Sequence, residues 1–205
     1  YKNANFEIIP AYRNEQLSLP RKTNRVVFLA NLIPEKGVFD TLDIWKNISD
    51  IDKSEYELLV MGSTMSKKTE NDLISIIKQM KNAELLINPD RKLVLELFST
   101  SKIFIYPSTY FLEQQPSVII EAFSFHIPVV AYKWRGIKNL VKDNHNGLLS
   151  DTRDLNGISE NLVKMMNDAS LYERLSKNSF KEFEKFYSKN SYIENFKNII
   201  KKYYL

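Results

Sequence analysis

Arg25-Val-Val-Phe-Leu-Ala-Asn31 contains five consecutive apolar residues, a run of strand length, and similar short apolar runs alternate with helical patterns along the chain. A helical spacing of apolar residues follows at 36–48, and a second apolar run occupies 56–62. Continuous apolar runs of this length are typical of strands that are buried on both faces of a sheet. Further strands are predicted at 83–87, 102–106, 128–132 and 147–149, with helices near 73–80, 93–97 and 116–125 and only helix from residue 154 onward.

Strands that alternate with helices in this way predict an α/β fold, a Rossmann-like doubly wound parallel sheet of about six strands with a helical C-terminal segment. The 205 residues suffice for one domain with a sizeable core. We expect a connector between domains at residues 1–24, a ligand-binding domain at 25–190 and a final helix at 191–205.

Composition excludes several classes of site. The chain has no cysteine, which excludes disulfides, thiol nucleophiles and cysteine-ligated zinc, and only two histidines, His126 and His145, which are far apart. With five glycines it contains neither of the common glycine-rich phosphate-binding motifs. A net charge of +4 is mild, and we predict no nucleic-acid partner. No apolar run approaches the roughly twenty residues of a membrane-spanning helix.

The first candidate site residue is Lys36, in the turn between the first strand and its helix. Ligands of doubly wound sheets bind beyond the carboxyl ends of the strands. A helix N-terminus there offers free N–H groups and partial positive charge, and Lys36 adds a full positive charge where a phosphate could bind. The alternative is an ordinary exposed lysine that precedes a helix.

The second candidate is a pair of carboxylates, Glu113 and Glu121, on either side of a predicted helix start at Pro116. The amides of Ser117 and Val118 would face an anion at that helix end. A carboxylate such as Glu121 can accept hydrogen bonds from a ribose diol. It could also be a helix-surface glutamate, but its neighbours are apolar, and a carboxylate in such surroundings needs a partner.

Four segments in this order resemble the C-terminal, nucleotide-sugar-binding domain of glycosyltransferase family 4, the retaining GT-B enzymes of glycosyl transferases group 1. They are the strand and lysine-glycine turn at 27–37, the strand that ends in Pro-Ser at 103–108, the Glu-x7-Glu motif with its following strand at 113–131, and the closing segment at 136–149.

The resemblance implies a role for each matching residue. Lys36 would contact the diphosphate of a nucleotide-diphospho-sugar donor, Glu121 would bind the ribose, and Glu113 would act as the catalytic residue that holds hydroxyls of the transferred sugar. The resemblance implies no metal ion and no cofactor. It also places Asn31, Gln115, Ser117 and Val118 at the donor phosphates and Gly62, Asn88, Tyr110 and Gln114 at a base or sugar pocket.

The sequence departs from the family pattern in several places. Asn31 stands where the family commonly has an arginine, so one phosphate charge would be less compensated. The loop Gln114-Gln115 lacks the usual glycine, as does the turn after the third strand at Asn88, and Asn139 replaces a frequent glutamate.

GT-B enzymes have two such domains, so the resemblance implies that this chain is a donor half, inactive in transfer on its own. Its expected partners are a nucleotide sugar, a glycan or lipid-linked acceptor, and an absent N-terminal domain on which the last helix would dock. We expect a bacterial hexosyltransferase of polysaccharide or lipopolysaccharide biosynthesis, located in the cytoplasm or at the cytoplasmic face of the membrane.

Two other functions stay open at this point. The first is a non-catalytic nucleotide-sugar-binding or regulatory domain, suggested by Asn31. The second is a nucleotide-sugar epimerase, which would need a catalytic acid, a histidine or a second carboxylate pair in the crevice. We interpret His126 as a core residue and His145 as solvated. The aromatic residues Tyr106, Tyr110, Phe111 and Trp134 could stack on a base, although packing is the commoner role of such a group.

Overall fold

Six parallel strands in the order β3-β2-β1-β4-β5-β6 form the central sheet of the computed structural model, which describes residues 21–204. This confirms the predicted doubly wound α/β sheet. The strands are β1 (Arg25–Asn31), β2 (Glu57–Ser63), β3 (Ala83–Ile87), β4 (Ile103–Tyr106), β5 (Val129–Tyr132) and β6 (Gly147–Ser150).

The centre of the sheet is the most apolar part of the fold. Every residue of β4 and β5 is buried, and Val27 of β1 pairs with Leu59 of β2 on one side and Phe104 of β4 on the other. Burial on both faces explains why these strands are continuous apolar runs in the sequence.

Eight α-helices flank the sheet in residues 21–204. They are α1 (Val38–Asn47), α2 (Lys67–Ile77), α3 (Arg91–Thr100), α4 (Ser117–Ser124), α5 (Ile137–Leu140), α6 (Leu155–Asn167), α7 (Ala169–Phe186) and α8 (Lys189–Tyr204). None of them is long and apolar enough to cross a membrane.

Two predicted boundaries need correction. The helix expected at 36–48 begins at Val38, because Pro34–Lys36 forms a 3-10 turn and Gly37, with φ of 84°, separates it from α1. The final helix begins at Lys189 rather than at residue 191.

The strand order creates a crevice at the carboxyl ends of the two central strands, β1 and β4. From β1 the chain proceeds to β2 and β3, and it then returns to the other side of β1 as β4. Connections leave β1 and β4 in opposite directions, so their carboxyl ends are the topological switch point, the usual ligand site of such sheets.

The described part of the predicted connector is anchored to this domain. Lys22 Nζ donates to the carbonyl oxygens of Ser99 (2.7 Å) and Phe125 (2.8 Å), and the Thr23 amide donates to Thr100 O (2.8 Å). Positions 1–20 of that connector lie outside the described residues.

Candidate functional site

A cavity of about 550 Å³ lies at the switch point between the carboxyl ends of β1 and β4. Nine of the residues proposed from the sequence line it. They are Asn31, Lys36, Gly62, Asn88, Glu113, Gln115, Ser117, Val118 and Glu121.

Lys36 reaches the cavity because the 3-10 turn after β1 places it there. Its ammonium lies 2.8 Å from Glu113 Oε2 and 3.3 Å from the Tyr106 hydroxyl. It also lies 4.3 Å from the centroid of the Tyr110 ring, within the range of a cation–π contact. Only 15% of the Lys36 side chain is exposed, so this is a largely buried cation that is held from three sides.

Glu113 is a fixed carboxylate at the floor of this cluster, with 5% of the residue exposed. The hydroxyls of Tyr106 and Ser108 each donate to its Oε2 at 2.8 Å, in addition to Lys36. These three hydrogen bonds all fall on Oε2. Oε1 is therefore the oxygen that can accept from a ligand.

Tyr106 remains a donor at any physiological pH. Burial raises the pKa of its phenol well above the usual range, and the negative charge of Glu113 raises it further. A phenol that stays protonated keeps the hydrogen bond to Oε2 and fixes the orientation of the carboxylate.

Helix α4 contributes its N-terminus and one carboxylate. Ile119 N–H donates to Pro116 O (3.0 Å), which makes Pro116 the N-cap rather than a residue of the first turn. The amides of Ser117 and Val118 therefore belong to the open end of the helix, at the cavity. A proline N-cap cannot bond these amides with its side chain, so they can bind an anion.

Glu121, in the second turn of α4, is 8% exposed and pairs with Arg91. Arg91 is the first residue of α3, and its Nη2 donates to Glu121 Oε1. The sequence predicts that this carboxylate needs a partner, and the structure identifies Arg91 as that partner.

Two of the proposed residues do not line the cavity. The Tyr110 ring lies against Lys36, and its carbonyl accepts from Trp134 Nε1 (2.9 Å). Gln114 is exposed, and its backbone packs against Gly136. Asn88 does line the cavity, and its φ of 53° explains how the turn after β3 forms without glycine, because asparagine tolerates the left-handed region.

Sequence reasoning did not select Arg91, Tyr106 and Ser108 as site residues that bind Glu121 or Glu113. Arg91 is a cation at the start of α3, just after the loop that follows β3, and this position was its only signal. Tyr106 and Ser108 flank Pro107 at the end of β4. Two hydroxyl-bearing residues at the carboxyl end of a strand were the sequence signal that could have identified them as site residues.

Neither histidine lines the cavity. His126 is half-buried rather than a core residue, and its ring stacks on Phe180 with centroids 3.8 Å apart. Burial lowers the pKa of His126, and the positive charge of Lys22 lowers it further. His145 is exposed, 3.4 Å from a Glu182 oxygen. Within the described part of the chain, no group of three His, Cys, Asp or Glu side chains is arranged to hold a metal ion.

Comparison with solved structures shows the same fold. Sucrose-phosphate synthase from Thermosynechococcus elongatus matches with a TM-score of 0.77 and 17% identity, over 98% of this chain and 53% of that one. Anabaena Alr3699/HepE, solved in complex with UDP-glucose, matches with a TM-score of 0.72 and 16% identity, over 88% of this chain and 48% of that one.

Two of the curated relatives are glycosyltransferases of bacterial polysaccharide biosynthesis. The amylovoran biosynthesis glycosyltransferase AmsD of Erwinia amylovora is 29% identical over 161 residues, which are 77% of this chain and 42% of AmsD. The capsular polysaccharide biosynthesis glycosyltransferase CapM of Staphylococcus aureus is 26% identical over 168 residues, 78% of this chain and 41% of CapM. The chain thus spans less than half the length of these relatives.

A family model supplies the decisive match. The model described as glycosyl transferases group 1 matches residues 13–182, most of the chain and all six strands. The resemblance inferred from the four sequence segments is thereby confirmed. The chain belongs to the glycosyl transferases group 1 family and is a glycosyltransferase domain of GT-B architecture.

Proposed function

We propose that this chain is the donor-binding half of a retaining glycosyltransferase and that it binds a nucleoside diphosphate sugar in the cavity at the switch point. The observation that carries the proposal is the juxtaposition of the Lys36–Glu113 pair, the N-terminus of α4 and the buried Glu121 around one cavity. HepE, which has the same fold, was solved with UDP-glucose.

In this proposal the diphosphate binds between Lys36 and the N-terminus of α4. The ammonium supplies a full positive charge, and the amides of Ser117 and Val118 supply two donors with the partial positive charge of the helix end. These groups are fixed before the ligand arrives, so they can stabilise the negative charge that develops on the leaving phosphate. The proposal requires no metal ion.

Glu121 binds the ribose, and Glu113 binds the transferred sugar. The two hydroxyls of a ribose diol can donate to the Glu121 carboxylate, whose Oε1 accepts from Arg91 in the free protein. Glu113 Oε2 is occupied by three donors, so Oε1 accepts from a sugar hydroxyl near the reacting carbon. Its rigidity positions the sugar for transfer.

The acceptor is held by a second domain in this proposal. The chain spans 42% of AmsD and 41% of CapM, which leaves room in such relatives for another domain of similar size. Ile193, Phe196 and Ile200 of α8 are 39%, 50% and 38% exposed, an apolar surface on which that domain can dock. We propose that the 205-residue chain binds the donor but transfers no sugar alone.

Thermal unfolding of the chain with UDP, GDP and ADP tests donor binding. A ligand that binds only the native state at ten times its Kd stabilises it by about 1.4 kcal/mol. For a domain of this size that raises Tm by about 3–6 °C. The Glu121→Ala variant should show a smaller shift, whereas the exposed Lys133→Ala should match the wild type. If no nucleotide at millimolar concentration shifts Tm, the proposal is wrong.

The full-length protein separates an enzyme from a non-catalytic binding domain. With the matching sugar nucleotide and acceptor, the wild type should transfer sugar and Glu121→Ala should lose most of this activity. Nucleotide binding without transfer in the full-length protein would instead support a regulatory domain.

A further inference from the structure

The full charges around the cavity form two pairs. Its described lining contains two cations, Lys36 and Arg91, and two carboxylates, Glu113 and Glu121. Each cation contacts one carboxylate, so the four charges sum to zero in this structure. A diphosphate that enters this cavity therefore needs at least one cation that can leave its carboxylate.

Lys36 is poorly suited to leave. Its side chain is 15% exposed, and Glu113, the Tyr106 hydroxyl and the Tyr110 ring hold its ammonium. Moving it away would leave Glu113, whose side chain is 6% exposed, without a neutralising charge. A buried carboxylate without its cation is strongly destabilised.

Arg91 can leave its partner carboxylate, Glu121, more easily than Lys36 can leave Glu113. Its side chain is 60% exposed, and its hydrogen bond to Glu121 uses Nη2. A guanidinium carries five N–H donors in a planar fork that matches two phosphate oxygens. The backbone beneath it is anchored, because the Asp90 side chain caps α3 by accepting from the Leu93 amide (2.8 Å). The side chain can therefore move while the helix stays in place.

Glu121 can exchange its partner when ribose binds. Its side chain is 11% exposed and its carboxylate is bonded by Arg91. Two ribose hydroxyls can replace that guanidinium as donors, so release of Arg91 leaves no carboxylate oxygen without a hydrogen bond.

We propose that Arg91 is a donor-binding residue of this site, an inference that rests on the proposed function. It neutralises Glu121 in the free protein, and when the ribose occupies Glu121 it moves onto the diphosphate of the nucleoside diphosphate. Arg91 thereby supplies the mobile positive charge of the cavity, beside the fixed charge of Lys36.

Ligand-observed NMR and calorimetry on the 205-residue chain test this with UDP, GDP and ADP and with uridine, guanosine and adenosine. The comparison uses the nucleoside diphosphate and the nucleoside that carry the base preferred by the wild type. Arg91→Gln should weaken binding of that nucleoside diphosphate about tenfold to a hundredfold. Binding of the matching nucleoside should not weaken, because the substitution removes a phosphate contact and also removes the guanidinium that the ribose must displace from Glu121. Lys92→Gln removes a neighbouring exposed charge and should leave both affinities unchanged.

The outcomes separate this inference from the proposed function. If Arg91→Gln weakens nucleoside and diphosphate by the same factor, Arg91 only orients Glu121 and the inference is overturned while donor binding stands. An equal loss of diphosphate affinity in Arg91→Gln and Lys92→Gln would also overturn the inference. If the wild type binds no nucleotide, both proposals fail. Arg91→Lys, which keeps the charge without the fork, should retain part of the preference for the diphosphate.

Discussion

Lys36 neutralises the more buried of the two cavity carboxylates, since its ammonium lies 2.8 Å from Glu113 Oε2. Lys36→Met keeps the apolar stem but removes this charge, while Tyr106 and Ser108 still donate to the carboxylate. We expect the free energy of unfolding to fall by roughly 3 kcal/mol, the lower end for a broken buried pair. Denaturant unfolding at neutral pH measures this loss.

The double variant Lys36→Met/Glu113→Gln is the control for charge. A neutral amide no longer needs the cation, so the double variant should be more stable than Lys36→Met alone. Lys133→Met, at an exposed position, should change the free energy of unfolding by less than about 0.5 kcal/mol. If Lys36→Met is as stable as Lys133→Met, the Lys36–Glu113 ion pair contributes nothing to the free energy of unfolding.

At the scale of residues, the local sequence could predict those candidate site residues whose place depends only on the strand or helix that carries them. Lys36 follows a strand and Glu121 lies near a helix start, so both could be predicted from position alone. Arg91 is 30 residues from Glu121, and Tyr106 is 70 residues from Lys36. Such pairs depend on which strands are neighbours in the sheet, and no local pattern reports that.

At the scale of elements, the loop that carries Glu113 is held by a close backbone approach to the start of α5. Gly136 N–H donates to Glu113 O (3.0 Å), and a Cβ at Gly136 would overlap the carbonyl of Gln114. The φ of Gly136 is −69°, so close packing rather than backbone conformation requires glycine. We expect Gly136→Ala to cost about 1–3 kcal/mol in unfolding free energy, as overpacking does, and to weaken nucleotide binding by displacing Glu113.

Gly157→Ala provides the matched comparison in α6. There the added Cβ meets only the Asp154 carboxylate, which caps α6 by accepting from the Gly157 amide. Loss of this cap would cost about 1 kcal/mol, and the higher helix propensity of alanine, about 1 kcal/mol, offsets it. Its unfolding free energy and nucleotide affinity should stay close to those of the wild type. Equal effects of the two substitutions would contradict the view that the Glu113 loop depends on contact with Gly136.

The strands were more predictable than the short connecting elements. Burial on both faces makes a strand such as β4 an uninterrupted apolar run. Helix α5 has only four residues and was not predicted, because one turn is too short to show a helical period. The start of α1 was misplaced by two residues, because a 3-10 turn has no distinct sequence pattern.

At the scale of the whole molecule, strand order decides where the site lies. The sequence predicted a doubly wound sheet with ligands beyond the carboxyl ends, but several strand ends were candidates. The order with β1 beside β4 places the crevice between them and brings α3 and α4 to the same cavity. The predicted docking of the last helix on a second domain stays a prediction, since that surface of α8 is exposed in this structure.

Lys22 joins the segment before β1 to the ends of α3 and α4 through Ser99 O and Phe125 O, and burial lowers its pKa to about 7. An unfolded lysine has a pKa near 10.4, so between these values the unfolded chain binds a proton that the native chain lacks. The free energy of unfolding should therefore rise from about pH 7 to about 9.5, by at most about 1.4 kcal/mol per unit. Denaturant unfolding should show this rise in the wild type and in the exposed Lys138→Met control, but not in Lys22→Met. Parallel curves for wild type and Lys22→Met would mean that the native ammonium stays charged.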